Sequence, residues 1–150
     1  MMRSASNRPC VPVAQADILG MAKRVLGFRD LIVWQKAMTC IDQIDCMVDQ
    51  LTSFQRWWVG LQILRAALSI ASNIAEGHDA GFTKLYLRRL EDARGSTREV
   101  ETQLLVIQRR TTVPRVETDR TLSLVDEIGR MLRTMSSQLR AQIRMERRKS

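Results

Sequence analysis

Apolar residues recur at spacings of three and four along four segments of this chain, which is the periodicity of amphipathic helices. The pattern predicts helices over about residues 29–51, 54–76, 82–110 and 115–147. The connections are short and contain helix-interrupting residues: Thr52 with Ser53, which offer an N-cap to the second helix, Gly77, which suits the left-handed position after a helix end, and Pro114. Gly95 lies inside the third predicted helix, where we expect close backbone packing to compensate for its low helix propensity. No segment alternates in the manner of a strand. The sequence therefore predicts an all-α fold, an up-down-up-down four-helix bundle over residues 28–147.

The second predicted helix carries two apolar stripes. One consists of Leu61, Leu64, Leu68, Ala71 and Ala75, and the other of Ile63, Ala67, Ile70 and Ile74. A helix on the outside of a monomeric bundle needs a single apolar stripe, so two stripes predict burial on two sides, one of them against another subunit. The residues expected at this oligomer interface are Trp57, Trp58, Ile63, Ile70 and Ile74.

A narrow polar line separates the two stripes and faces the third helix. An antiparallel pairing about a turn near residues 79–80 places Arg65 within reach of Glu99, and Ser69 near Glu91 and Asp92. Hydroxyls and an amide between charged groups are typical of a hydrogen-bonded seam. We interpret the following residues as a structural polar network and not as a reactive site: Arg65, Ser69, Asn73, Glu76, Arg94, Glu99 and Glu101.

Charge changes the picture of the second half of the chain. The protein has 24 Lys and Arg against 16 Asp and Glu, a net charge of +8, and the excess lies in residues 84–150. Residues 29–52 are net acidic, so the chain can attract an anionic partner or pair with itself. The candidates for contact with nucleic-acid phosphates are Arg88, Arg89, Arg109, Arg110, Arg140, Arg144, Arg147, Arg148 and Lys149. The alternative is a solvated helix face with a basic tail at residues 148–150.

Composition argues against catalysis. The three cysteines show no metal-binding or redox spacing, and their odd number is typical of reduced thiols in a cytoplasmic protein. His78 is the single histidine and has no preceding Glu-x-x spacing for a di-iron site. We expect no catalytic residue, no metal and no cofactor. No run of 18 apolar residues predicts a membrane span. Residues 1–27 lack periodicity and are expected to be a disordered leader.

Three stretches resemble a known family. Residues 28–37, FRDLIVWQKA, resemble the opening of the four-helix-bundle proteins called 23S ribosomal RNA intervening-sequence proteins. Residues 62–77, QILRAALSIASNIAEG, are similar to the most characteristic stretch of that family, and residues 93–104 and 128–132 resemble its third and fourth helices. Ala71 stands where the family usually has Pro.

The resemblance implies a left-handed bundle that assembles into a ring-like homopentamer and has no known catalysis. It also implies kinship with accessory proteins of diversity-generating retroelements, which work with a reverse transcriptase and bind nucleic acid. We therefore expect a non-enzymatic, homo-oligomeric scaffold or interaction protein that binds the RNA or DNA backbone through a basic surface. The alternative is an oligomeric protein-interaction module with no nucleic-acid role, and a weaker rival is an enzyme that uses the polar network.

Overall fold

Four long helices make up the part of the chain that the structure, a computed structural model, describes: residues 27–149. They are α1 (Ile32–Asp49), α2 (Ser53–Asp79), α3 (Thr83–Arg110) and α4 (Arg115–Lys149). A 3₁₀ turn, Phe28–Asp30, precedes α1, and residues 27–149 contain no strand. The predicted all-α, four-helix fold is confirmed. The predicted leader lies outside the described residues except for Gly27.

The helices surround one common core. Each helix contacts the next along the chain, and α1 also contacts α4, which closes the bundle. Lys36 of α1 pairs with Glu127 of α4 at 3.1 Å, and Gln50 donates to Glu117 at 2.7 Å. Since residue numbers rise along α1 as they fall along α4, these two helices are antiparallel.

Large aliphatic side chains from all four helices fill this core. Burial of each one from water stabilises the fold by about 1.5–3 kcal/mol. The largest fully buried side chains include Ile44, Met47, Ile63, Ile70, Ile74, Leu90, Leu104, Ile107, Ile128 and Leu132. The prediction that Ile63, Ile70 and Ile74 lie at a subunit interface is therefore wrong. They are 0% exposed within the single chain, because α2 meets α1 and α3 through its isoleucine side.

The first turns of α2 are irregular. Thr52 caps the helix: its hydroxyl accepts from the backbone N–H of Gln55 at 3.3 Å, and the Gln55 side chain accepts from the Thr52 N–H at 3.1 Å. A π-helical segment, Arg56–Gly60, follows before regular α-helix resumes at Leu61. Such a segment changes the direction in which the preceding side chains point. It contains Trp57, which is exposed, and Trp58, which packs partly against the core.

The turn between α2 and α3 differs from the sequence prediction. Gly77 was expected in a left-handed conformation at the end of the helix, but α2 runs through it to Asp79, and Gly81 takes the left-handed conformation with φ of 69°. Gly77 serves close packing instead. A Cβ there would lie 2.7 Å from the Tyr86 ring and 2.9 Å from the Arg89 Cβ, so only glycine permits this approach of α2 and α3.

Two glycine substitutions test this packing. Gly77→Ala is expected to lower the free energy of unfolding by about 1–3 kcal/mol, because the new methyl group overlaps α3. Gly95→Ala, in mid-α3, is expected to raise it by about 1 kcal/mol through helix propensity, since a Cβ at Gly95 meets no atom within 4 Å. Urea unfolding followed by circular dichroism measures both. A Gly77→Ala variant at least as stable as the wild type would contradict the close approach at Gly77.

Candidate functional site

An apolar line runs along the outer side of α2. We call Phe54, Trp57, Leu61, Leu64 and Leu68 the α2 apolar line; Leu64 is half-buried, and the other four are 71%, 70%, 48% and 51% exposed. A spacing of three and four residues keeps Leu61, Leu64 and Leu68 on one side of the regular helix. Phe54 and Trp57 lie on the irregular first turns, with their ring centroids 6.4 Å apart. A contiguous apolar surface on a protein of this size is typical of an interaction site.

The structure thus exchanges the roles of the two predicted stripes. The isoleucine stripe lies in the core. In the other stripe, Leu61 and Leu68 are exposed and Leu64 is half-buried, whereas Ala71 is buried. Trp57 remains an interface candidate because it is exposed, whereas Trp58 is half-buried against the core. The sequence does contain a signal for this arrangement. Ala66, Ala67 and Gly77 lie beside the isoleucines, and small residues mark the side on which neighbouring helices approach.

The polar network forms in part at the α2–α3 seam. The Ser96 hydroxyl donates to the Ser69 hydroxyl at 2.9 Å, and the Asn73 amide donates to the same hydroxyl at 3.1 Å. Arg89 donates to the Asn73 carbonyl oxygen at 3.3 Å and pairs with Glu76 at 3.0 Å. The structure therefore brings together Ser69, Asn73 and Glu76 of the predicted set. The sequence analysis missed Ser96 and assigned Arg89 to a different surface.

The other predicted members do not join this network. Arg65 and Glu99 are exposed, and no ion pair between them occurs in the described residues. Glu101 pairs with Arg98 at 2.7 Å, and Arg94 lies on a different face of α3, in a groove against α4. The expected register was wrong. Ser69 contacts Ser96, which lies about one helical turn beyond the predicted partners Glu91 and Asp92. The cause is that α2 ends at Asp79, three residues after its predicted end at Glu76, so the connection to α3 comes later in the chain.

Two of the nucleic-acid candidates are neutralised within the chain. Arg89 is held by Glu76 and Asn73 at the seam just described. Arg140 of α4 forms an ion pair with Glu91 of α3. A guanidinium already paired with a carboxylate offers little net charge to a phosphate. Arg89 and Arg140 are therefore no longer candidates for nucleic-acid contact.

The remaining candidates fall at opposite ends of the bundle. Arg140 pairs with Glu91 near the start of α3, so the last turns of α4 lie beside the α2–α3 turn. We call the exposed residues there, Arg88, Arg144, Arg147 and Arg148, the basic end. Exposed Arg109 and Arg110 end α3, about 30 Å away at 1.5 Å per residue. The Lys149 side chain lies outside the described residues. Each chain therefore presents two separate basic clusters.

No group of three or more metal-ligating side chains occurs within residues 27–149. His78 Nδ1 lies 3.0 Å from Asp79 Oδ1 in the α2–α3 turn. Burial raises the pKa of the Cys40 thiol to about 12, so this thiol is protonated at neutral pH and unsuited to nucleophilic attack.

By length and composition, α2 is the described helix that could cross a membrane. The core helix of a bundle passes the same test. Here the apolar content of α2 is divided between the buried isoleucine stripe and the α2 apolar line.

The seam hydrogen bonds give a stability prediction. Asn73→Ala is expected to lower the free energy of unfolding by about 1–2 kcal/mol, since it removes one hydrogen bond of Ser69 and one of Arg89 at a half-buried seam. Glu99→Ala is the control on the same bundle and should change stability by less than about 0.5 kcal/mol, because Glu99 is exposed. Thermal or urea unfolding distinguishes them, and equal effects would argue against the seam.

Comparison with known proteins agrees with this helical architecture. The sequence signature of the family described as 23S rRNA-intervening sequence protein matches residues 29–134. A crystal structure of a protein of unknown function from the S23 ribosomal protein family of Bacteroides thetaiotaomicron VPI-5482 superposes with a TM-score of 0.65 and 23% sequence identity. The match covers 71% of this chain and 96% of that one, and supports the fold. A search of curated proteins finds no match. The family match spans most of the described bundle, and the chain belongs to the 23S rRNA-intervening sequence protein family.

Proposed function

We propose that this protein is a non-enzymatic, homo-oligomeric scaffold in the cytoplasm. Each subunit is a left-handed up-down-up-down bundle, and the subunits form a ring, which is pentameric by family resemblance. The observation that carries this proposal is the α2 apolar line, which a single chain leaves open to water. Full burial of a large apolar side chain stabilises an association by about 1.5–3 kcal/mol, so the line offers several kcal/mol in total. A second copy of the chain is the proposed occupant.

Charge supports a contact between different faces of neighbouring copies. Asp42, Asp45 and Asp49 give α1 an exposed acidic face, and only Asp49 has an ion pair, a 3.9 Å contact with Arg56, among the described residues. Outside the α3–α4 groove, α4 carries further exposed arginines, among them Arg115 and Arg120. Since an acidic face and a basic face lie on different helices of one chain, head-to-tail contacts are favoured. Such contacts form a ring when the rotation between neighbouring copies closes, and the proposed ring requires that closure.

Substitution within the α2 apolar line tests the assembly. Leu61→Lys with Leu68→Lys is expected to convert the oligomer to a folded monomer, because two buried charges would oppose association. Sedimentation velocity gives the mass, and circular dichroism verifies that helicity is kept. Leu85→Lys with Leu105→Lys is the matched control, since these leucines are exposed on α3, and it should leave the mass unchanged. A monomeric wild type at micromolar concentration would refute the proposed scaffold.

The basic end is the surface we propose for nucleic-acid backbone contact. Four exposed arginines lie there, and a ring would repeat them in every subunit. The aromatic side chains near this end are His78 and Tyr86, which meet edge to face at 6.3 Å between ring centroids, and exposed Phe82. Since these rings form no stack, we propose contacts mainly to phosphates, with little sequence preference. Kinship with retroelement accessory proteins makes a reverse transcriptase a further proposed partner. A module with protein partners alone is the alternative.

Neutralising the basic end tests this contact. The triple variant Arg144→Gln, Arg147→Gln and Arg148→Gln is expected to weaken RNA binding in a gel shift. It should also reduce the slope of log binding constant against log salt concentration, by about 0.7 for each lost phosphate contact with a single strand. Arg109→Gln with Arg110→Gln, at the opposite end, is the comparison variant and should have the smaller effect. If the wild type binds neither RNA nor DNA at low salt, the alternative replaces this proposal.

A further inference from the structure

We propose that a groove between α3 and α4 binds a compact phosphate-bearing ligand. The groove has a volume of about 240 Å³ and is lined by residues of these two helices alone. It is separate from the α2 apolar line and includes none of the four arginines of the basic end. This inference therefore goes beyond the proposed assembly and does not depend on it.

Two glycines keep the groove open. Gly95 lies in the α3 wall, where an added Cβ would meet no atom within 4 Å. Gly129 lies in the α4 wall, where the nearest atom to an added Cβ is the Thr97 Oγ1 at 3.8 Å. The sequence suggested that Gly95 marks close helix packing, but the structure leaves free space there. The open space next to Gly95 lets a ligand oxygen approach the surface of α3, whereas Gly129 is buried and a Cβ there would contact Thr97.

The acidic groups of the groove are already neutralised. Three carboxylates line it, and each is held by an arginine: Glu91 by Arg140, Asp126 by Arg130 at 3.3 Å, and Glu101 by Arg98 at 2.7 Å. Arg130 and Arg140 lie outside the lining. The carboxylates therefore contribute little net negative charge to the groove. Because each is already paired, none is available to pair with the remaining lining arginines.

Two lining arginines have no such partner. Arg94 and Arg133 make no ion pair or side-chain hydrogen bond with any described residue, although Arg94 is half-buried. Thr97 and Gly129 face each other across the groove, and Arg94 and Arg133 each lie about one turn away in the same direction. Arg94 and Arg133 thus lie at the same level of the antiparallel pair, one on each wall of the groove.

The excess charge selects the ligand chemistry. The two unpartnered guanidinium groups supply a charge of +2, and a ligand with a single carboxylate would balance only half of it. A phosphate monoester carries about −1.5 to −2 at neutral pH and has three acceptor oxygens, so it matches both the charge and the number of donors. Guanidinium groups suit phosphate oxygens because their N–H donors are arranged as a rigid fork. The small volume favours one phosphoryl group over an extended polymer.

The test is calorimetric titration of the full chain with inorganic phosphate and with adenosine monophosphate at constant ionic strength. We expect one saturable site per chain. Arg94→Gln with Arg133→Gln should weaken binding by at least about tenfold, since each guanidinium supplies charge-assisted hydrogen bonds. Arg109→Gln with Arg120→Gln removes two exposed positive charges outside the groove and should change affinity by less than about twofold. Gly95→Glu introduces a carboxylate into the open space and should abolish binding even if the double variant is unstable.

The possible outcomes separate clearly. Tighter binding of adenosine monophosphate than of phosphate supports the site and assigns a nucleotide, whereas equal affinity supports it and assigns the phosphoryl group alone. Heat no larger than that of a chloride titration overturns the proposal, as does equal weakening in both double variants or full binding by Gly95→Glu. Binding of a single-stranded oligonucleotide that requires Arg94 and Arg133, without binding of either small probe, also overturns it, since the groove would then serve a polymer.

Discussion

The close antiparallel approach of α2 to α3 is the contact on which the rest of the molecule depends. Gly77 allows it, since any larger residue would overlap Tyr86 and Arg89. At the next levels along the seam, Asn73, Ser69 and Ser96 join the helices through hydrogen bonds. The polar side chains of this seam find their hydrogen-bond partners in one register only. The seam therefore determines both the position of α2 along its axis and its rotation relative to α3.

The rotation of α2 decides which surface the protein presents. With the isoleucines directed into the core, the leucine side faces outward and is joined by Trp57 through the irregular first turns of the helix. A rotation of α2 that buried Leu61 and Leu68 would expose the isoleucines instead. The surface proposed for self-assembly is therefore a consequence of intrachain packing, and the stability of the subunit and its capacity to associate rest on the same helix.

Internal pairing distributes the basic charge of the chain. Carboxylates of α2 and α3 neutralise Arg89 and Arg140, which leaves free arginines at the two ends of the bundle and in the α3–α4 groove. A uniformly basic helix face would attract polyanions without discrimination. Separate clusters can instead serve different ligands: an exposed end suits a flexible nucleic-acid backbone, whereas a half-enclosed groove with one unpaired arginine on each wall suits a compact anion.

The sequence by itself determined the number of helices, their approximate limits, the Thr52 cap and the family, because helical periodicity and capping are local properties of the chain. It also identified Ser69 and Asn73 as seam residues from their chemistry. Only the tertiary structure decided which stripe of α2 is buried, which arginines are neutralised, and that Gly77 and not Gly95 marks close packing. Each of these depends on the rotation and register of one helix against another, and a shift of one turn changes every partner while leaving the sequence pattern the same.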